Sequence, residues 1–144
     1  MIIKNSADFK KFNASIKEMI DDNIGMVTKE SLSELYSDLV ERTPVDTGHA
    51  KENWHFTHNK PAEKELNIGD QSAITETNQF LESNPFLKSK TVYLTNTASN
   101  TSKKTGTKYY YMMRLEEGHS KQAPNGVVRI SLARMISKWR NKSI

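Results

Sequence analysis

The architecture turns on residues 7–41, ADFKKFNASIKEMIDDNIGMVTKESLSELYSDLVE. Phe9, Phe12, Ile16, Met19, Ile20, Ile24, Val27, Leu32, Leu35 and Leu39 recur at steps of mostly three and four, the spacing of one side of an α-helix. Ser6 offers an N-cap hydroxyl and Asp8 a first-turn carboxylate. Pro44 disfavours the helical conformation in the residue before it and so ends the helix. At 1.5 Å per residue such a helix is ~52 Å long. A compact domain of this chain length is roughly 37 Å across. The helix therefore either breaks near Gly25 and Thr28, or leaves one end projecting for another subunit to cover.

Beyond the TPVDTG turn, His49–Trp54 reads as a short amphipathic stretch, and Trp54, Phe56 and His58 mark a strand. Residues 63–69, EKELNIG, suggest a second short strand. Residues 70–90 are polar and read as an insertion or mobile loop, with room for a helix around Ile74–Leu81 ended by Asn84-Pro85. Lys90–Thr97, KTVYLTNT, alternates and is rich in β-formers, so it predicts a strand. Residues 98–107, ASNTSKKTGT, have loop composition. Tyr109–Glu117 reads as a short helix stopped by Gly118 at its C′ position, and QAPNG as a turn. A last helix spans Gly126–Asn141, with Val127, Ile130, Leu132, Met135, Ile136 and Trp139 on or near its inner face. Strands bounded by terminal helices predict an α+β domain, in which a long N-terminal helix and a C-terminal helix pack on a small antiparallel sheet.

The chain has 144 residues, the size of one domain spanning 1–144. No run of 18 apolar residues exists, so neither a spanning helix nor a membrane partner is expected. The start, MIIKNSADFKK, lacks an apolar export segment. With no cysteine, disulfides, thiolate zinc sites and cysteine nucleophiles are excluded. Charge is split along the chain. Residues 1–100 hold 11 Lys and Arg against 15 Asp and Glu, while residues 101–144 hold 10 against 2. An acidic body joined to a basic tail is consistent with a nucleic-acid footprint, with charge pairing between copies, or with a solvated surface.

Sites of chemistry are not assembled by the sequence. His55 and His58 lie three apart on a strand and so point to opposite faces, which prevents them from chelating one ion. Glu116 and Glu117 oppose the dipole of their own helix and call for a cation, with Arg114 and Lys121 nearest. Gly118-His119-Ser120 lacks the closing glycine of a nucleophile elbow. Tyr109-Tyr110-Tyr111 beside Lys103, Lys104 and Lys108 could stack on single-stranded nucleic acid. Packing is the favoured expectation for these rings, with two in the core and one on the surface. The sequence predicts no enzyme, no cofactor and no metal.

Two segments carry a resemblance, Arg42–Trp54 (RTPVDTGHAKENW) and Tyr110–Arg129 (YYMMRLEEGHSKQAPNGVVR). In order and spacing they resemble the hallmark motifs of the neck and tail-completion proteins of tailed phages, the minor tail protein Z-like family. Asn53 stands where that family commonly has Ser, and His49-Ala50 where a basic residue and leucine are usual. The resemblance implies a structural protein of the virion neck or tail end, present in the host cytoplasm during assembly. It implies a ring, six copies of this chain around the DNA channel. The implied partners are the head connector and the tail terminator or tail tube, with room for non-specific contact with packaged DNA. Interface contacts are then expected from Arg129, Arg134, Lys138 and Arg140. Pro44, Asp46, Gly48, Trp54, Glu116, Gly118 and Pro124 are expected to shape the fold corner. A small nucleic-acid-binding protein using residues 101–144 is the alternative.

Overall fold

A computed structural model describes residues 6–83 and 91–142. Helix α1, Ser6–Arg42, runs for 37 residues straight through Gly25, so of the two sequence alternatives the projecting helix is the one observed. A single glycine costs a helix only about 1 kcal/mol. Thr28 turns its hydroxyl back to donate to the Ile24 carbonyl at 2.7 Å, which leaves the backbone ladder intact. Ser6 already lies within the helix rather than capping it, and residue 5 is outside the described residues. At the other end the Thr43 amide and hydroxyl both donate to the Leu39 carbonyl, at 3.0 and 2.6 Å, just before Pro44.

After α1 come helix α2 (His49–Glu52), strand β1 (Trp54–His58), helix α3 (Ser72–Glu82) and strand β2 (Val92–Asn96). Strands β3 (Ser99–Thr101) and β4 (Lys108–Tyr110) follow, then helices α4 (Tyr111–Glu116) and α5 (Val128–Arg140). The protein is α+β, with its strands in two antiparallel pairs. β1 pairs with β2, Trp54 opposite Asn96 and His58 opposite Val92. β3 pairs with β4, Ser99 opposite Tyr110. The core gathers the second half of α1 (Leu35, Tyr36, Leu39), β1 (Trp54, Phe56), Leu81 of α3, Leu115 of α4, and Ala123 and Val127. Phe56 stacks on Phe80 of α3 and touches Tyr36 of α1, so β1 is held between two helices.

Several sequence expectations are corrected, and one is met in part. Residues 63–69 form no strand. Leu66 there is buried, and its amide and carbonyl bond the Asn53 side chain at 2.7 and 3.2 Å, so a side chain takes the place of a neighbouring strand. Within the stretch 70–90, read as an insertion or mobile loop with room for a helix around Ile74–Leu81, that helix is observed as Ser72–Glu82, lying on β1 with Ala73, Thr77 and Leu81 buried. The Asn84-Pro85 stop lies outside the described residues. The supposed loop 98–107 contains β3, and Tyr109 and Tyr110 belong to β4 rather than to a helix. The α5 face that meets the rest of the chain holds Val127, Val128, Ser131 and Met135, whereas Leu132 and Ile136 are exposed.

Candidate functional site

The corner predicted from Pro44 to Trp54 is built from the end of α1. Gly48 adopts a left-handed φ of 86° and opens α2, and Glu52 donates its amide back to the Gly48 carbonyl at 3.0 Å. The Thr47 hydroxyl accepts from the His49 amide at a long 3.4 Å, while Asp46 is exposed and makes no such bond. Trp54 is buried and its indole N–H donates to the Thr43 hydroxyl at 2.9 Å, tying strand β1 to the end of α1. The corner is joined to the second motif where the Val45 amide donates to the Gln122 side-chain oxygen at 3.3 Å.

The second motif resolves the question of Glu116. Its carboxylate is not paired with Arg114 or Lys121. One oxygen accepts the amides of Val127 and Val128 at 2.6 and 2.5 Å, and the other accepts Nε of Arg129 at 3.2 Å. Arg129 also reaches the Glu116 carbonyl oxygen. A carboxylate that opposed its own helix dipole thus serves the positive N-terminus of α5. Gly118 at φ 81° closes α4, with its amide bonded to Leu115 and the His119 amide to Arg114. A Cβ on Gly118 would sit 2.6 Å from the Pro124 carbonyl oxygen, and one on Gly126 would sit 2.8 Å from the Glu116 carboxylate. At Gly118 the obstacle is backbone, whereas at Gly126 an added side chain would push the Glu116 carboxylate from the α5 amides, and both positions hold a left-handed φ that strains any L side chain. Glu117 pairs with His119 at 3.3 Å, and Arg114 lies over the Tyr109 ring at 3.6 Å.

The four cations predicted as an interface are divided. Arg129 belongs to the Glu116 cap. Arg134 lies 3.7 Å from Asp38, and Lys138 lies 2.7 Å from Glu34, which also accepts the Trp139 indole at 3.2 Å. Part of the attraction between acidic body and basic tail therefore acts within one chain and seats α5 on α1. Arg140 alone of the four has no partner among the described residues. Between α1 and α5 runs a groove of about 710 Å³ whose charged walls are these same paired groups, with Ser33, Ser37 and Ser137 beside them.

Sequence reasoning missed a buried polar knot. Asn53 is fully buried and donates to the carbonyls of His49 and Leu66 at 2.8 and 3.2 Å. Its oxygen accepts from the Leu66 amide at 2.7 Å and from the Thr97 hydroxyl at 2.9 Å. That hydroxyl also meets Nε2 of His55 at 3.0 Å. Burial pulls the His55 imidazole below its ordinary pKa and so favours the neutral ring, and because the Thr97 hydroxyl gives its proton to Asn53, Nε2 is assigned as the donor toward Thr97. His58 is exposed and stacks on Phe80, away from His55. Beside the knot, Glu65 accepts from the Ser99 amide and hydroxyl, both at 2.6 Å, and meets Nε2 of His49 at 2.8 Å. Burial raises this carboxyl, but the Ser99 and His49 hydrogen bonds outweigh it and bring the pKa down to about 2. Glu116 is likewise lowered, its burial outweighed by the amides of Val128, Val127 and Arg129.

Both carboxylates bind a proton more weakly folded than unfolded, so stability is present above about pH 4.5 and falls as pH drops toward about 2. Urea midpoints measured across that window are expected to fall steeply for the wild type. Glu65→Gln is expected to start lower and slope less. A variant with an unchanged slope would show that Glu65 is not the group responsible.

The tyrosine run has one ring on the surface, as expected, but the other two are not in the core. Tyr109 and Tyr111 are half-buried edge to face, while Tyr110 and Met113 are exposed, and Lys108 lies 5.6 Å from the Tyr110 ring. Among the described residues, seven of the thirteen exposed large apolar side chains gather elsewhere, on the first half of α1. Phe9, Met19 and Ile24 are 54, 55 and 56% exposed, and Phe12, Ile16, Ile20 and Met26 are exposed with them. Among the described residues no group of three His, Asp or Glu could hold a metal ion, and no helix is long and apolar enough to cross a membrane. Comparison with known protein families, with characterised proteins and with solved structures finds no match to this chain.

Proposed function

We propose that this chain is a structural assembly protein, held in place by copies of itself and by other components of a particle. The observation that carries this reading is the projecting half of α1. Seven large apolar side chains stand exposed over Phe9–Met26, on a helix too long for its own domain to cover. Monomers rarely leave contiguous apolar patches above a few hundred Å² uncovered. The two motifs that resemble phage neck and tail-completion proteins give the reading its setting, a ring at the junction of capsid and tail. In that setting the corner residues hold the scaffold, and Arg140 is the basic contact left free for a neighbour.

The test is direct. The purified chain is expected to gain mass with concentration and to be present in finished particles. A chain absent from finished particles would refute the proposal, whatever its mass in isolation. The second reading, nucleic-acid binding, is favoured by the exposed Tyr110 ring flanked by Lys108, with Lys103 and Lys104 exposed on the turn before it. Binding of single strands through that hairpin would weaken steeply as salt rises, because each neutralised phosphate contributes about −0.7 to the logarithmic slope. A flat salt response would dismiss it.

A further inference from the structure

The assembly reading leaves open what covers the projecting half of α1. We propose that a second copy of the same half-helix does, antiparallel, about a two-fold axis beside Ile16.

Geometry excludes the parallel alternative. Ile16, Ile20, Val27, Ser31, Glu34 and Asp38 follow one another at helical spacing and so share a face of α1. Over the second half of the helix that face is occupied by α5. Lys138 bonds Glu34, Arg134 faces Asp38, and Val27 and Ser31 line a groove with Ile136 and Trp139. A partner helix running parallel and in register would continue into the space α5 fills. In an antiparallel partner Ser6, where helix α1 starts, falls level with residue 26 when Ile16 lies on the axis, so that helix stops short of the α5 contacts that begin at Val27.

The same register makes apolar and charged partners agree. Phe12 of one copy lies level with Ile20 of the other, and Ile16 faces itself. Lys10, Lys17 and Asp21 share one flank of the apolar face, at steps of seven and four. Like flanks meet across an antiparallel two-fold, so Lys10 of each copy comes within one residue of the level of Asp21 in the other. None of the three has a partner in its own chain among the described residues. The single like-charge approach, between the two Lys17 side chains near the axis, is outnumbered by two Lys10–Asp21 attractions. At ~150 Å² for a fully covered large side chain, the low end of the aromatic range, seven half-exposed ones offer on the order of 500 Å² per copy, somewhat below the ~800 Å² of a standard interface. The contact is isologous and closed, hence distinct from the head-to-tail contacts that build a ring.

This deepens the assembly reading by naming the occupant of the arm, and it is tested on the full chain. The wild type is expected to shift from 16.5 kDa to twice that mass with rising concentration. Ile16→Asp should stay monomeric with an unchanged circular dichroism spectrum, since the side chain it replaces is exposed. Lys10→Glu should weaken dimerisation about five-fold, and adding Asp21→Lys should restore it. Because the chain has no cysteine, single cysteines can be placed freely. A mixture of Phe12→Cys and Ile20→Cys proteins should crosslink to each other, and neither should crosslink to itself. Self-crosslinks at both positions, a dimeric Ile16→Asp protein, or a charge double variant as weak as the single would overturn the antiparallel pairing. A wild type that remains monomeric yet is found in finished particles overturns the pairing and leaves the assembly reading standing. A chain that pairs but is missing from particles does the opposite.

Discussion

Trp54→Ala is expected to destabilise the fold by about 4 kcal/mol, the scale for removing a large aromatic from a core. A domain of this size has only ~5–15 kcal/mol in total, so much of the population would be unfolded at physiological temperature. The site explains the size of the effect. Trp54 begins β1, is almost wholly buried, and lies in one cluster with Leu39 of α1 and Leu115 of α4. Its indole N–H is also the bond that fixes β1 to Thr43, whose own hydroxyl is already committed to the Leu39 carbonyl. Truncation would leave a cavity at the junction of three elements that no single side chain could shift to fill. Trp54→Phe separates the two contributions. It keeps most of the ring and loses the bond, and about 1–2 kcal/mol is expected. Urea unfolding followed by circular dichroism reads both values. Equal losses for the two variants would mean that the bond to Thr43, not the buried ring, is what holds the corner.

Periodicity made α1, β1 and β2 legible, because each buries a face through its own side chains. The absence of a break at Gly25 was not legible, since one glycine is a cost of about 1 kcal/mol that a 37-residue ladder absorbs. Helix α3 was legible only in part, as room for a helix around Ile74–Leu81, because of its composition. Its buried face is Ala73, Thr77 and Leu81, only one of which reads as a core residue in a polar stretch. The β3–β4 pair was hidden because its strands are three residues long and drawn from loop-forming types. Glu116 shows why local rules misassign charge. Within its own helix it is in an unfavourable place, and the amides that reward it lie eleven residues and more away. The same non-local effect claims Arg134 and Lys138, which look free in sequence but face carboxylates 96 and more residues earlier on α1. The corner motif was legible in its shape-giving residues, Pro44, Gly48, Trp54 and Gly118. Asp46 was not, because its carboxylate makes none of the backbone bonds its position suggests.

Asn53→Ala is expected to cost about as much as losing Trp54, although it removes far less volume. The side chain makes four hydrogen bonds in a site closed to water. Alanine would leave the Leu66 amide and the carbonyls of His49 and Leu66 buried without those partners, at ~1–3 kcal/mol for each unsatisfied group. The consequence is structural as well as energetic. Residues 60–69 have no strand to hold them, so Asn53 is what fixes Leu66 in place between α2 and the chain at Thr97. Asn53→Asp keeps the shape and the acceptor toward Leu66 but cannot donate to the two carbonyls, and it places a charge where none is paired. It is therefore expected to be nearly as damaging at neutral pH and to recover partly as acid neutralises it, opposite in sign to the acid loss expected of the wild type. Asn53→Ser tests how much reach the knot requires of the side chain at this position. Serine is too short to bond both the amide and the carbonyl of Leu66, so in this chain it should lose about 2–3 kcal/mol. Hydrogen exchange should show protection lost first at the Leu66 amide. Were Asn53→Ser as stable as the wild type, the knot would be packing that happens to be polar, and residues 60–69 would be anchored by the burial of Leu66 together with the bonds of Glu65 to Ser99 and His49 and of the Lys64 carbonyl to Thr97.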